Sequence, residues 1–250
     1  MTPALDNSRV SPGTPLALDD LPTPPVTPLA LTRLLQLGSQ ALPIGGYSHS
    51  QGLESAVESK FVTDEASTLR WISNVLRFSI YSFEAPVLLA MSDAWSAQEE
   101  ANLRSLNEEF LATRESAELR AGTVQMGFSM RVLLEALPDL PLRIMETLRS
   151  MNEPSLPCVW SAAATAWAIN PRDSAIAYVW SWAENQVLAA VKTLPMGQSA
   201  GQRILLALGQ SIAANSEKKR MAPDDRSNFA PALAILSAQH ETQYSRLFRS

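Results

Sequence analysis

Apolar residues recur every three or four positions along most of this chain, the spacing that places them on one face of an α-helix. The clearest stripe consists of Leu69, Ile72, Leu76, Ile80 and Phe83. Comparable stripes cover residues 103–110, 176–191 and 204–212. No segment favours a strand over a helix, so the pattern predicts an all-α fold.

The stripes and the prolines between them predict a single bundle of about ten helices, some of which can merge. The predicted helices span residues 30–41, 48–59, 64–82, 86–95, 98–112, 114–136, 141–151, 158–169, 172–193, 199–219 and 231–243. Glycine use agrees with this assignment. The chain has only 10 glycines and no Asn-Gly, Asp-Gly or Gly-Asn pair, the dipeptides that tight hairpin turns favour.

The first 28 residues differ in composition from the rest of the chain. They hold seven of the 17 prolines and few large apolar side chains. Because proline has no amide donor and a fixed φ, this segment cannot propagate a helix. We therefore predict a disordered tail over residues 1–28, followed by one all-helical domain over residues 29–250.

The composition of the chain limits which kinds of partner and which cellular compartment we expect for it. A net charge of −5 argues against nucleic-acid binding, and a lone cysteine, Cys158, suits a reducing compartment. The longest uncharged stretch, residues 154–171, contains polar residues and reads as a buried helix rather than a membrane span. We expect a cytoplasmic protein with no membrane partner. Since only 18% of its residues are charged, we expect some apolar surface to stay exposed until a protein partner covers it.

One segment nearly matches the nucleophile elbow of serine hydrolases. Residues 46–50 read G-Y-S-H-S, so Ser50 replaces the second glycine of the G-x-S-x-G motif. The elbow also requires a strand before the serine, and none is predicted. A hydrolase that uses Ser48 remains the enzymatic alternative.

Other motifs of catalysis and metal binding are incomplete. Residues 122–129 resemble a phosphate-binding P-loop, but Phe128 stands in place of its lysine. His240 and Glu241 begin a zinc motif whose second histidine is replaced by Tyr244. Two histidines and one cysteine in the whole chain exclude a site with several such ligands. His49 and His240 are therefore expected to be structural hydrogen-bonding residues, and no metal site is predicted.

Three segments are unusual for a helical bundle. Residues 35–54 combine a helix end before Pro43, two adjacent glycines and a new helix start, and Ser48 can cap that helix. Residues 192–203 contain a Pro-x-Gly break followed by an amide-rich helix start. The third segment is the C-terminal stretch 240–250.

Together the three segments resemble the UreF family of urease accessory proteins. The first is similar to its signature L-P-[IV]-G-G-[YF]-S-x-S-x-G-L-E, the second to its P-x-G-Q-x-x-G-Q element and the third to its S-R-L-F-R-S ending. Residues 113–127 are also similar, so the resemblance covers residues 29–250. One departure is the run from Cys158 to Ser161, where the family often has a glycine, and it leaves the helix packing near Ser161 open.

The resemblance implies an all-α homodimer without catalytic activity. Members of the family bind UreD, also called UreH, together with the GTPase UreG. The complex carries nickel into apo-urease and couples GTP hydrolysis to that transfer. Nickel would then be cargo and no cofactor would be resident, which suits a chain with few strong metal ligands. A helical adaptor that regulates another GTPase is the alternative.

The resemblance also assigns site residues. Gly45, Gly46 and Gly197 are expected to form loops, with Gly45 and Gly46 placing Tyr47 and Ser48. The expected partner-binding residues are Tyr47, Ser48, Glu54, Lys192, Gln198, Gln202, Arg246, Leu247, Phe248 and Arg249.

Each assignment has a structural alternative. Glu54 and Lys192 are expected to face UreG, or else to be solvated ions on helices. Gln198 and Gln202 lie one turn apart and either present amides to a partner or cap helices. The last five residues are expected to order against UreD, or else to fray. Tyr47 is either a partner contact or a buried anchor of its loop.

Overall fold

The structure, a computed structural model, describes residues 26–138, 140–216 and 221–249. Within these residues the chain is all-helical, as predicted, and contains no strand. The α-helices are α1 (Pro28–Leu37), α2 (Leu53–Glu58), α3 (Glu65–Val75), α4 (Ala85–Ala97), α5 (Glu100–Ala112), α6 (Ala117–Glu135), α7 (Leu142–Arg149), α8 (Leu156–Ala166), α9 (Pro171–Thr193), α10 (Gln198–Ser216) and α11 (Pro231–His240). Short 3₁₀ turns lie at Gly46–Ser48 and Pro223–Asp225, and a π-helical segment, Leu76–Glu84, joins α3 to α4.

Helix α8 lies at the centre of the bundle and contacts α4, α6, α7 and α9. Every residue from Pro157 to Ala164 is buried. Ser161, the departure from the family pattern, is buried with its hydroxyl donating to the Cys158 carbonyl at 2.9 Å, so the helix accommodates the serine. Burial raises the pKa of the Cys158 thiol to about 12, which keeps it protonated.

The two predicted helices 64–82 and 86–95 form one continuous helical run, Glu65–Ala97. Proline usually ends or kinks a helix when it lies in the interior. Pro86 was expected in the first turn of a helix, and it lies in the first turn of α4. The gap predicted before it, residues 83–85, is absent, because the π-helical segment leads into α4 without a break. The run is long and apolar enough to cross a membrane by length and composition alone. Since 56% of its most apolar window is buried inside the fold, its place here is that of a core helix.

The segment before α11 explains why the run continues past Pro86. In an α-helix the Ser82 carbonyl would accept the N–H that Pro86 lacks. Here it accepts the N–H of Ser227 at 2.9 Å, and the Phe78 carbonyl accepts the N–H of Phe229 at 3.1 Å. A second stretch of chain thus satisfies carbonyl groups of the π-helical segment.

The predicted N-terminal tail, residues 1–28, lies outside the described residues except for its last three. The first predicted helix, 30–41, corresponds to α1, which begins two residues earlier, at Pro28. The Thr27 hydroxyl accepts the Ala30 N–H at 3.1 Å and caps this helix. The predicted helix 199–219 likewise extends beyond the described residues, which carry α10 to Ser216.

Candidate partner-binding site

The first motif forms a loop and a short helix, so the predicted helix 48–59 is wrong in its first half. Gly45 has φ of +79° and leads into the 3₁₀ turn, and Gly52 has φ of +83° and precedes α2. Both values lie in the left-handed region, which glycine adopts without strain. Ser48 does not cap α2, because Gly52 occupies the N-cap position. A helix and turns precede Ser48 in the described residues, so the strand that a nucleophile elbow requires is missing there.

Side chains of α9 hold this loop by its backbone. The Asn185 amide donates to the His49 carbonyl at 2.8 Å, and the Gln186 amide donates to the Ser50 carbonyl at 3.0 Å. The loop is therefore fixed to α9. Tyr47 remains 55% exposed, so it is not the buried anchor that was the alternative.

Glu54, in the first turn of α2, is only 8% exposed, so it is not a solvated surface ion. Its Oε1 accepts the N–H of Leu247 at 2.6 Å, and its Oε2 accepts the N–H of Phe248 at 3.0 Å. The same Oε2 lies 3.1 Å from Nε2 of His240. One buried carboxylate thus joins the first motif to the C-terminal motif.

His240, at the end of α11, is completely buried and lies between two carboxylates. Its Nδ1 is 2.7 Å from Glu118 Oε2, and the other oxygen of Glu118 accepts from the Arg246 guanidinium at 2.7 Å. Helices α2, α6 and α11 and the C-terminal stretch therefore meet in one hydrogen-bonded network. We call this network the Glu54 cluster; its members are Glu54, Glu118, His240 and Arg246.

Residues 246–249, the C-terminal segment, dock on the chain through backbone bonds. Phe248 is 7% exposed, and the Lys192 ammonium lies 5.7 Å from the centre of its ring. The Arg249 N–H donates to the Ser48 carbonyl at 2.8 Å. The side chains of Arg246, Leu247 and Arg249 remain exposed. The segment therefore buries one aromatic ring and presents two cations and a leucine to solvent.

The structure brings together the predicted residues of the first and third motifs, and Lys192 with them. Gln198 and Gln202 lie apart at the start of α10, exposed and one turn from each other. No hydrogen bond recorded for the described residues joins them to the Glu54 cluster. A Cβ at Gly197 would meet nothing within 4 Å, so crowding does not require glycine in that loop.

Several known proteins that are similar to this chain share the name "Urease accessory protein UreF". A family model described as UreF matches residues 62–209. "Urease accessory protein UreF" of Dechloromonas aromatica (strain RCB) is 54% identical over 226 residues, which cover 90% of this chain and 99% of the relative. The protein of that name from Azoarcus sp. (strain BH72) is 52% identical over 227 residues, with 89% and 96% covered. The chain belongs to the UreF family of urease accessory proteins.

A third UreF, from Pseudomonas fluorescens (strain Pf-5), is 48% identical over 223 residues, which cover 87% of this chain and 97% of the relative. The resemblance seen in the motifs is therefore confirmed. It also extends over the helices between the motifs, since the family model spans α3 to most of α10.

Glu84 and Arg114 form a buried ion pair that the sequence motifs of this UreF-family chain did not predict. Glu84 accepts from the Arg114 guanidinium at 2.5 Å and from the Tyr178 hydroxyl at 3.0 Å. Both charged side chains are less than a tenth exposed. Burial, together with the Glu84 charge, raises the pKa of the Tyr178 hydroxyl well above its ordinary 10.0, so the phenol remains a donor.

This pair lies at a cavity of about 80 Å³ that also reaches the first-motif loop. Polar and apolar groups share its walls, among them Tyr47, Gln51, Met126 and Asn185. Such a volume holds several waters. Glu84, Arg114 and Tyr178 come from distant parts of the chain, so their spacing in the sequence could not reveal that they meet. The one signal in the sequence was that Arg114 lies in the stretch 113–127, which is similar to the family.

The described residues contain no group of three or more His, Cys, Asp or Glu side chains that could hold a metal ion. In the Glu54 cluster the carboxylate oxygens already face backbone N–H groups, an imidazole and a guanidinium. These partners compete with any cation for the same lone pairs. The chemistry of the cluster is therefore that of a structural joint between segments.

Proposed function

We propose that this chain is a non-catalytic scaffold of urease maturation, active in the cytoplasm as a homodimer. It binds UreD (UreH) and the GTPase UreG together and couples GTP hydrolysis by UreG to nickel delivery into apo-urease. Nickel passes as cargo, without a resident cofactor. Membership of the UreF family supports the link to urease. The observation that carries the scaffold role is the convergence of the first and third motifs on buried Glu54.

The surface beside this joint has the composition of a protein interface. Its exposed side chains are Tyr47, Lys192, Arg246, Leu247 and Arg249, which we call the motif face. Tyrosine and arginine are enriched among the residues that contribute most to binding energy. Three cations on this face favour a partner with an acidic surface and an apolar centre.

The two partners use different parts of this surface in the proposal. The C-terminal segment binds UreD, and Lys192 contributes to binding UreG. The motifs assigned Glu54 to partner binding. Because its carboxylate is buried, it does not contact a partner directly. It serves by holding the backbone of the C-terminal segment, so its effect on UreG or UreD passes through that segment.

Reconstitution tests the proposal directly. Apo-urease, UreD, UreG, nickel and GTP are combined with and without this chain, and the nickel bound per urease active site is measured. We expect incorporation to require both the chain and hydrolysable GTP. Equal incorporation without the chain contradicts the scaffold role. Binding to an unrelated GTPase, but not to UreG, favours the adaptor alternative.

Variants of the C-terminal segment separate partner contact from docking. Leu247→Ser keeps the backbone N–H that Glu54 accepts, so the segment stays docked while UreD binding weakens about tenfold. Leu142→Ser on α7 is the matched control, because Leu142 is 68% exposed and Leu247 65%. Deletion of residues 246–250 should abolish UreD binding while helical circular dichroism is retained. Undiminished complex formation contradicts the assignment of this segment.

Lys192→Ala tests the assignment to UreG. The lysine is exposed, so its loss should weaken UreG recruitment and leave the melting temperature within a degree or two of the parent. Arg149→Ala, which removes an exposed cation on α7, provides the control. A large fall in melting temperature marks Lys192 as a structural residue instead.

A further inference from the structure

The two ring nitrogens of buried His240 both face carboxylate oxygens, at 2.7 Å from Glu118 and 3.1 Å from Glu54. A neutral imidazole donates from one nitrogen and accepts at the other, whereas an ionised carboxylate only accepts. With a neutral ring, one of these contacts would set two acceptors against each other. The geometry therefore requires an additional proton, on the ring or on one of the carboxyl groups.

The surroundings of the two carboxylates place that proton on the ring. Glu54 accepts the N–H groups of Leu247 and Phe248, which favours its charged form. Glu118 accepts from the Arg246 guanidinium and lies in the first turn of α6, where the helix dipole favours negative charge. With His240 charged, two anions and two cations balance in the Glu54 cluster.

We infer that His240 is a buried imidazolium that positions the C-terminal segment by holding Glu54 and Glu118 in place. Glu54 binds the segment through the backbone of Leu247 and Phe248, and Glu118 binds it through the side chain of Arg246. His240 bonds to both carboxylates and touches no partner, so it is a positioning residue for the motif face.

Other charged groups near this site do not replace the imidazolium. Glu241, the next residue, accepts the N–H of Ala117 at the start of α6. Lys192 lies across the ring of Phe248. The Arg246 guanidinium donates to Oε1 of Glu118, whereas His240 faces Oε2. Without the charge on His240, two largely buried carboxylates would remain with one exposed cation, and the positions of both would change.

The charge state is tested on the isolated chain by ring ¹⁵N chemical shifts of the histidines at neutral pH. His240 should show two protonated nitrogens whose protons exchange slowly. The chain has only one other histidine, His49, so a His49→Gln variant assigns the signals. One protonated and one unprotonated nitrogen in His240, with the segment still docked, overturns the inference.

The positioning role is tested with His240→Gln, whose neutral amide offers one donor nitrogen where the imidazolium offers two on opposite sides of the ring. Hydrogen exchange at the amides of Leu247 and Phe248 should accelerate about tenfold or more, while the amides of α8 stay protected. In the double variant His240→Gln, Glu118→Gln, the second carboxylate is gone and protection should partly return. If the single variant does not fold, the histidine ¹⁵N spectrum of the parent chain still decides the charge state.

The consequence for assembly rests on the proposed function. His240→Gln should lose UreD binding to the same extent as deletion of residues 246–250. Full UreD binding by His240→Gln, with exchange at the segment accelerated, overturns the link between positioning and assembly. If the parent chain itself binds neither UreD nor UreG, the proposed function fails, while the spectra and exchange rates still test the inference about His240.

Discussion

Glu54 and His49 lie five residues apart in the first motif, and both are buried. Glu54 accepts two backbone N–H groups and faces an imidazole, so its charge is compensated inside the protein. Burial of His49, and to a lesser extent the positive charge of Arg249, lower the pKa of its ring. Burial and the groups that distant residues supply therefore decide what each side chain does.

Glu54→Gln keeps the shape of the side chain but removes its charge and one acceptor. We expect the free energy of unfolding to fall by about 2 kcal/mol, because hydrogen bonds to a charged group are lost. The amides of Leu247 and Phe248 should exchange faster in the same variant. Urea unfolding and hydrogen exchange measure the two effects. Glu58→Gln, at the exposed C-terminal end of the same helix, is the control, and an equal loss there contradicts the special role of Glu54.

The lowered pKa of His49 predicts part of the pH dependence of the free energy of unfolding. Its pKa in the folded protein is below the ordinary 6.5, so the unfolded chain takes up this proton at higher pH than the folded chain. The free energy of unfolding should therefore fall as the pH drops through and below 6.5. His49→Gln should flatten this slope in urea titrations between pH 7 and pH 5. A slope unchanged by the substitution contradicts the lowered pKa.

At the scale of elements, the π-helical segment and the stretch before α11 depend on each other. Carbonyl groups of Phe78 and Ser82 accept N–H groups from that stretch. Asn228 adds a side-chain link, since its Oδ1 accepts from the Ser79 hydroxyl at 2.6 Å and its amide donates to the Thr113 carbonyl at 2.9 Å. The stretch in turn leads into α11, which carries His240 to the Glu54 cluster.

Asn228→Ala tests this dependence. The substitution removes two half-buried hydrogen bonds and leaves the Thr113 carbonyl and the Ser79 hydroxyl without these partners. We expect a loss of about 2 kcal/mol in the free energy of unfolding. Ser227→Ala is the matched control, because Ser227 is exposed and contributes its backbone N–H, which the substitution retains. Similar losses for both variants in urea titrations contradict a specific link through Asn228.

At the scale of the whole molecule, close packing around α8 sets the positions of the helices that carry the site. Helix α6 presents Gly127 to the backbone just before α8, and a Cβ there would overlap the Pro154 carbonyl oxygen. The glycine that resembled part of a P-loop is thus a packing residue, as expected for a helical position. The same helix carries Glu118, so its placement also determines the Glu54 cluster.

Gly127→Ala is expected to destabilise the bundle by about 3 kcal/mol, because a backbone carbonyl must move to make room. Thermal and urea unfolding measure the loss. Gly197→Ala is the control, since a Cβ there meets nothing within 4 Å. A neutral Gly127→Ala would mean that α6 and α8 separate without cost, which contradicts the close packing described here.

Much of the architecture follows from periodicity, because a helix needs only a repeating apolar face and local hydrogen bonds. The helix boundaries that were predicted wrongly are those that depend on contacts with other parts of the chain. The predicted helix 48–59 fails in its first half, where Gly52 takes a left-handed conformation against Leu233 and Ser237 of α11. The gap predicted at residues 83–85 is absent, and there Ser227 supplies a bond to the Ser82 carbonyl from residues far along the chain.

By itself, the sequence determined the all-α class, most of the helix positions and the membership of the UreF family, since these depend on local pattern and on ordered motifs. Only the tertiary structure decided that Glu54 is buried, that His240 bridges two carboxylates and that Phe248 docks the C-terminal segment. Such contacts join residues more than a hundred positions apart, and their energies depend on distances of a few ångströms. No spacing along the chain encodes those distances.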